Sequence, residues 1–471
     1  MLLDETIAAP AVPLNAAAAI GIIRISGAKA ADILYSIFTD KNACAVFSKN
    51  EPARPRYMHH GFIVDSAERS KFIDEAMVCF FKAPFSYTGE DMVEIFCHGG
   101  SYNMYRVLAS ILKAGARQAE AGEFTKRACI NGKIDLCQAE AIADIIASRT
   151  ETLHGVAISQ IKGSLSYEIN SIKNILVEIL ADIEANLDFP EEDIEPLDTR
   201  HIESRLVDCL EKASKLLSSY EYGKILKEGL KITIAGCPNV GKSSLFNLLL
   251  RENRAIVTAI PGTTRDVITE ELNIEGVPFS LADTAGIRES IDVIEKIGIE
   301  RSYANIEDAD ICLVMLDSSR AASDEDIKVV SETAHKPRII LVNKIDSRSR
   351  AFSLNCLPLK EGDEILEISV TRNDNVEALK TLILKASGLI SMNGTYGGQS
   401  RNVITNARHA AALANAIGCL NDALETMRSN SPIDLLTIDM RAALSSFGEI
   451  VGETSTDDVL HKIFEKFCIG K

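Results

Sequence analysis

The sequence predicts a multidomain chain that combines α/β and all-α parts. Three observations predict it. Strand-like apolar runs alternate with helical segments over about residues 1–130, and again over about 229–390. Between them, Ile161, Leu165, Ile169, Ile172, Leu176, Ile179, Ile183 and Leu187 recur every three or four residues, which is one face of a long amphipathic helix. The third is length: 471 residues exceed one core and point to about three domains.

The elements follow in order. Residues 18–27 read as a strand ending at glycine, and 29–38 have helical spacing. Residues 74–81 and 91–100 read as strands, and 102–114 as a helix. Arg24 and Glu94 each sit inside an apolar strand, where a charge is costly unless paired or bound. Two readings stand: a structural ion pair, or a pocket with one cationic and one anionic contact. The long helix stops near Asp188-Phe189-Pro190-Glu191-Glu192-Asp193, where proline and a charge run end it. That run reads as a solvated turn. A second helix is expected over 201–226.

Residues 311–316, 338–342 and 364–370 are strand-like, with helical segments between them, as in a doubly wound sheet. A Gly- and Ser-containing link spans 391–400, and helices are expected over 403–428, 433–447 and 456–464. The helical blocks before 229 and after 400 are each too thin to bury their own apolar faces. One helical domain interrupted by an α/β domain accounts for both.

Composition narrows the function. The formal net charge of −17 excludes bulk electrostatic attraction to nucleic acid, so a polynucleotide substrate would need a local basic patch or a basic partner. The 11 cysteines show no C-x-x-C pair and fit reduced thiols in a cytoplasmic setting. The first residues lack a basic leader, and no apolar run approaches about 20 residues, so neither a secretory signal nor a membrane span is expected.

The chemistry gathers in the third quarter of the chain. Gly236-Cys237-Pro238-Asn239-Val240-Gly241-Lys242-Ser243-Ser244 lies between a strand-like run (230–235) and a helix-like one (245–250). This is a phosphate-binding loop in its required context. Its glycines let successive N–H groups, including those of Asn239, Val240 and Gly241, point at a phosphate chain. Lys242 reaches the β- and γ-phosphates and the Ser243 hydroxyl ligates Mg²⁺.

Downstream, Asp283-Thr284-Ala285-Gly286 can orient Mg²⁺ through water and sense the γ-phosphate. In Asn343-Lys344-Ile345-Asp346, the Asp346 carboxylate can accept two hydrogen bonds that guanine offers and adenine does not. Ser369 falls where a short loop would meet the base; the usual Ser-Ala is here Ser369-Val370. Thr264, in Pro261-Gly262-Thr263-Thr264-Arg265-Asp266, can close over Mg²⁺. Together these motifs predict a GTP site. Ile287 stands where Ras-like proteins carry a water-orienting Gln. Glu289, Asp292 and Glu295 are the acidic alternatives, and the Asn239 carbonyl oxygen suits a monovalent cation.

These residues resemble the MnmE (TrmE) family of tRNA-modification GTPases over essentially the full length. Specific to the resemblance are Gly21-Ile22-Ile23-Arg24-Ile25-Ser26-Gly27, Tyr87-Thr88-Gly89-Glu90-Asp91, Gly122-Glu123-Phe124-Thr125-Lys126-Arg127-Ala128 and the closing Phe467-Cys468-Ile469-Gly470-Lys471. The resemblance implies an N-terminal α/β folate-binding and dimerisation domain (1–130). It also implies a helical domain in two parts (131–228 and 391–471) and a Ras-like P-loop GTPase domain (229–390) inserted between them.

Folate contacts are implied at Arg24, Glu94, Lys133 and Lys471, for 5-formyl- or 5,10-methylene-tetrahydrofolate. A K⁺ site is implied at Asn239, Thr258, Ile260 and Thr263, and Mg²⁺ at Ser243 and Thr264. Glu295 is implied as the residue that orients water. The implied partners are a second copy of the chain, tRNA, and an FAD-dependent protein of the glucose-inhibited division protein A family, forming a heterotetramer. The implied reaction modifies C5 of the wobble uridine with an aminomethyl-type group. Cys468 is open to a nucleophilic or a positioning role.

Two other readings compete. One is a ribosome-assembly GTPase of the Era or EngA type, which shares the phosphate loop but has an RNA-binding module that this sequence does not show. The other is a folate-binding scaffold whose GTPase only controls assembly.

Overall fold

The computed structural model describes residues 5–13, 18–188, 198–253, 269–283, 305–389, 402–429, 432–454, 457–465, 467 and 470. The chain divides into two compact units, one of residues 1–143 with 448–471 and the other of 144–447.

The first unit is built on a seven-stranded sheet in the order β3-β4-β5-β6-β2-β1-β7. The strands are β1 (Ile7–Pro10), β2 (Ile20–Ser26), β3 (Phe38–Thr39), β4 (Met58–Val64), β5 (Phe72–Phe81), β6 (Met92–His98) and β7 (Arg117–Gln118). Alternation decides which face is covered. Ile23 and Ile25 of β2, Val93 and Ile95 of β6 and Val78 of β5 point one way and are fully buried. Helices α1 (Ala30–Ile37) and α2 (Ser101–Lys113) pack there through Ile33, Leu34, Val107 and Ile111. Alternate positions, including Arg24 and Glu94, point the other way. Helix α3 (Glu123–Ile130) follows β7, and the helix Asp457–Phe464 packs against it.

The second unit holds a six-stranded sheet in the order β13-β12-β11-β8-β10-β9. Its strands are β8 (Leu230–Gly236), β9 (Thr269–Ile274), β10 (Val277–Asp283), β11 (Ile311–Asp317), β12 (Arg338–Asn343) and β13 (Glu364–Glu367). All pairings are parallel except the β9–β10 hairpin. Strands β11 and β12 are buried at every position, as expected for parallel strands covered on both faces. With β8 in the middle, the loop after it opens at the carboxyl end of the sheet, where doubly wound folds bind ligands.

After α4 (Leu136–Ala147), the helical part of the second unit includes α5 (Glu151–Ile161), α6 (Ser164–Asp188), α7 (Thr199–Ser218) and α8 (Tyr220–Glu228). The apolar stripe read from sequence is the buried face of α6: Leu165, Ile169, Ile172, Leu176, Ile179 and Ile183 are all essentially inaccessible. Ile161 and Leu187 differ. Ile161 closes the preceding helix, because Gly163 takes φ +84°, a left-handed conformation that ends α5. Leu187 is 45% exposed. The single helix expected over 201–226 is two, α7 and α8, meeting at Ser219, whose hydroxyl accepts from Ile404 N–H at 3.0 Å. Helix α7 packs along the helix Ala407–Arg428. Helices that precede and follow the nucleotide-loop segment therefore share a core.

The described cysteines are free. Cys44 and Cys356 are exposed. Burial pushes the thiols of Cys97, Cys209, Cys237 and Cys312 up to about 11. No helix among the described residues is long and apolar enough to cross a membrane.

Candidate guanine-nucleotide site and the Arg24–Glu94 pair

Strand β8 delivers the chain into the loop 236–241, and helix α9 (Lys242–Asn253) leaves it. Val240 is fully buried in the core under the sheet and pins the loop's base. Asn239 has φ +62°, and Gly241 has φ +109°. A Cβ on Gly241 would lie 2.5 Å from the Asn343 amide nitrogen, so this position accepts only glycine. The Lys242 ammonium donates to the carbonyls of Gly236 (2.7 Å) and Cys237 (2.8 Å), which places it across the loop. Ser243 and Ser244 are exposed in the first turn of α9, where backbone N–H groups have no partner within the helix.

The second loop is tied to the first. Asn343 ends β12 and is 3% exposed. Its amide donates to Val240 O at 2.8 Å and accepts from Val370 N–H at 3.2 Å. Lys344 adopts a left-handed conformation and donates to Asn239 O (2.9 Å) and to the Asp317 carboxylate (2.6 Å). Burial raises the Asp317 carboxyl, but hydrogen bonds from Lys344 and Ser319 outweigh it and hold it below the usual value.

The third loop meets the second. Ser369 is buried and its hydroxyl donates to Asp346 Oδ1 at 2.6 Å. That bond lowers the Asp346 carboxyl below its ordinary range, which keeps it an acceptor. Val370 enters the cluster through its backbone N–H, so a valine in place of alanine leaves that contact intact. Asp283 is the last residue of β10, in parallel register with Ile234 of β8. Thus the described parts of the phosphate loop, the Asn343–Asp346 loop and the Ser369 loop come together.

In the first unit, Arg24 and Glu94 are direct cross-strand partners. Arg24 Nε donates to Glu94 Oε1 at 2.8 Å, and the two side chains are 23% and 16% exposed. The guanidinium also sits 5.6 Å from the centre of the Tyr87 ring and 3.5 Å from Gly470 O. Of the two readings, the ion pair is what the structure shows, and the pair stands on the sheet face that α1 and α2 do not cover. Lys133 donates to Pro84 O at 3.0 Å.

Two family models match the chain. One described as the MnmE helical domain covers residues 136–468, and one described as the GTP-binding protein TrmE N-terminus covers 6–133. The tRNA modification GTPase MnmE of Alkaliphilus metalliredigens is 42% identical over 471 residues, covering 100% of both chains. That of Clostridioides difficile is also 42% identical over 471 residues, covering 100% of both. That of Finegoldia magna is 43% identical over 454 residues, covering 96% of this chain and 97% of its own. The chain belongs to the MnmE family.

Membership removes the Era or EngA alternative, because the match extends across the N-terminal and helical parts as well as the nucleotide loops. Ten of the MnmE site residues expected from sequence lie outside the described residues: Thr258, Ile260, Thr263, Thr264, Thr284, Ala285, Gly286, Glu295, Cys468 and Lys471. Sequence reading missed Asp317 as the carboxylate on Lys344, since no spacing rule links residues 27 positions apart. It also missed Tyr87 beneath Arg24. An aromatic ring beside a strand-buried arginine is a signal only once the fold brings them together.

Proposed function

We propose that the protein is a potassium-stimulated GTPase that modifies C5 of the wobble uridine of certain tRNAs, with a folate one-carbon unit and a flavin-dependent partner. The observation that carries the nucleotide part is the double tie of Asn343 to Val240 and Lys344 to Asn239. It fixes a base-reading carboxylate, Asp346, relative to a phosphate cradle. The GTPase and tRNA parts are carried by the name shared by full-length relatives.

In this reading Lys242 and the N–H groups of the loop hold the phosphates, and Asp346 accepts from the guanine edge. Ser243, exposed at the start of α9, offers a hydroxyl to Mg²⁺, with Thr264 as the second protein ligand. Mg²⁺ supplies charge neutralisation at the phosphates. Asn239, Thr258, Ile260 and Thr263 would hold K⁺, whose positive charge takes the part of an arginine finger. Glu295 orients the attacking water. Residues 229–390 form the GTPase domain, inserted between the helical parts 131–228 and 391–471.

Folate is assigned to the 1–130 domain, against Arg24, Glu94, Lys133 and Lys471. What supports this is a largely buried Arg–Glu pair on the sheet face opposite α1 and α2, with an aromatic ring and Gly470 beside it. A second copy of the chain pairs through the same domain, and the FAD-dependent partner of the glucose-inhibited division protein A family completes a cytoplasmic heterotetramer. Because the chain is acidic, that partner supplies much of the tRNA contact.

The test is modified-nucleoside analysis of tRNA from a strain lacking the gene. The C5 aminomethyl-type wobble modification is expected to disappear and to return with the wild-type chain. Unchanged wobble uridine would leave the folate-scaffold alternative standing and end this reading.

A further inference from the structure

Two residues of the nucleotide loops stand in a conformation that side chains disfavour, and a hydrogen bond joins them. Asn239 has φ +62° and Lys344 has φ +63°. Such positions persist where their surroundings over-determine them. Consecutive residues of one loop hold consecutive carbonyls of the other. Lys344 Nζ donates to Asn239 O at 2.9 Å, and the Asn343 amide donates to Val240 O at 2.8 Å. In a trans peptide the N–H points opposite to the C=O of the same plane. Drawing the Asn239 and Val240 carbonyls toward the second loop therefore turns the N–H groups of Val240 and Gly241 away from it, as an anion nest requires.

A lysine side chain is flexible, and this one is aimed by Asp317. Asp317 ends β11, in register with Asn343 of β12. Its Oδ2 accepts from Lys344 Nζ at 2.6 Å. Its Oδ1 accepts from the Ser319 N–H at 2.9 Å and from the Ser319 hydroxyl at 2.6 Å. Both oxygens are engaged, so the carboxylate is fixed in orientation. Its side chain is 8% exposed, against 34% for Lys344.

The sheet does not need this pair. Strands β11 and β12 are joined in continuous register, and the Ser318 N–H (3.0 Å) and hydroxyl (2.7 Å) both donate to Asn343 O. What the pair adds is a direction for the ammonium.

We propose that Asp317 is a positioning residue for nucleotide binding: it aims Lys344 at Asn239 O and so keeps the Val240 N–H turned into the phosphate cradle. The carboxylate acts through Lys344. The proposal rests on the nucleotide site read above, and not on potassium, folate or tRNA.

The experiment is stopped-flow dissociation of a fluorescent GDP analogue from the full-length protein with Mg²⁺. Asp317→Ala is expected to speed dissociation about tenfold, the loss of one charge-assisted hydrogen bond. Asp317→Asn keeps the shape and an acceptor but not the charge, and is expected to speed it about threefold. The double variant Asp317→Ala/Lys344→Ala is expected to match Lys344→Ala within about twofold, because a residue that acts through Lys344 then has nothing left to act on. A carboxylate that only supported the fold would instead multiply its effect onto that of Lys344→Ala. Wild-type dissociation in both Asp317 variants, or multiplied effects in the double variant, would overturn the proposal. Should Asp317→Ala fail to fold, Asp317→Asn with and without Lys344→Ala makes the same comparison. Wild-type protein that does not bind the GDP analogue would end the nucleotide reading itself.

Discussion

Asn343 and Val240 are joined at 2.8 Å across 103 residues of sequence, side-chain amide to main-chain carbonyl. The bond holds the phosphate loop against the loop that ends in Asp346. Both partners are buried, so water cannot replace it. Asn343→Ala is expected to cost about 1–3 kcal/mol by leaving the Val240 carbonyl unpaired. It is also expected to weaken GDP and GTP binding about tenfold or more. Urea unfolding and fluorescent-nucleotide titration measure the two effects. Wild-type values in both would show that the bond is incidental.

Asp346 sets the choice of base in the proposed site. Two charge-assisted hydrogen bonds of about 1.5–3 kcal/mol each correspond to roughly 10²–10⁴-fold in affinity. Asp346→Asn is expected to lose guanine nucleotides by about that factor. Xanthine, which carries an oxygen where guanine has an amino group, is expected to gain. Competition between GDP and XDP reads the change directly, and an unaltered preference for GDP would remove Asp346 from the base site.

His98 and Asp74 make a pH-sensitive pair. His98 Nδ1 lies 2.7 Å from Asp74 Oδ1, and the His98 N–H and Asn103 amide also donate to that carboxylate. The Asp74 bond and charge raise His98 above 6.5. Burial raises Asp74, but the donors from His98 and Asn103 outweigh it and hold it below 3.8. Because the folded-state value of His98 is the higher one, its contribution to stability is fully present below about 6.5. That contribution is lost as pH rises through the elevated value. The Asp74 contribution is present above 3.8 and lost as pH falls through its depressed value. Asp74→Asn should return His98 to its ordinary titration, which NMR of the ring protons measures. An unchanged midpoint would assign the shift to another group.

Potassium and Glu295 carry the proposed hydrolytic step. GTP turnover is expected to be much faster in KCl than in NaCl, and equal rates would remove the cation from the mechanism. Glu295→Ala is expected to keep nucleotide affinity and lose most turnover. Retained turnover would move the water-orienting role to Glu289 or Asp292.

The nucleotide loops were legible in the sequence because their chemistry is local. Gly236, Gly241 and Lys242 lie within seven residues, between a largely apolar strand, β8, and the helix α9. Strands β1 and β4 were not read. The first is four residues long, and the second, Met58-His59-His60-Gly61-Phe62-Ile63-Val64, mixes polar residues and a glycine that break its alternation. The break between α5 and α6 was hidden for a related reason. The apolar period runs on through Lys162-Gly163, and only the left-handed Gly163 separates the two helices. Contacts that depend on the closed fold left no local pattern at all. The bond from Lys344 to Asp317 and the seat of Arg24 on Tyr87 are set by strand order, which no single stretch encodes.

The distribution of thiols has a practical consequence. Cys44 and Cys356 are the exposed cysteines among those described, one in residues 1–143 and the other in 144–447. Cys237, inside the phosphate loop, is buried and its thiol is pushed up to about 11, so at neutral pH it reacts slowly. Among the described cysteines, a maleimide dye or spin label therefore finds Cys44 and Cys356 before it finds the loop. Labelling at Cys44 and Cys356 is therefore expected to leave the phosphate loop unmodified, so nucleotide binding can be followed on labelled protein without first replacing Cys237.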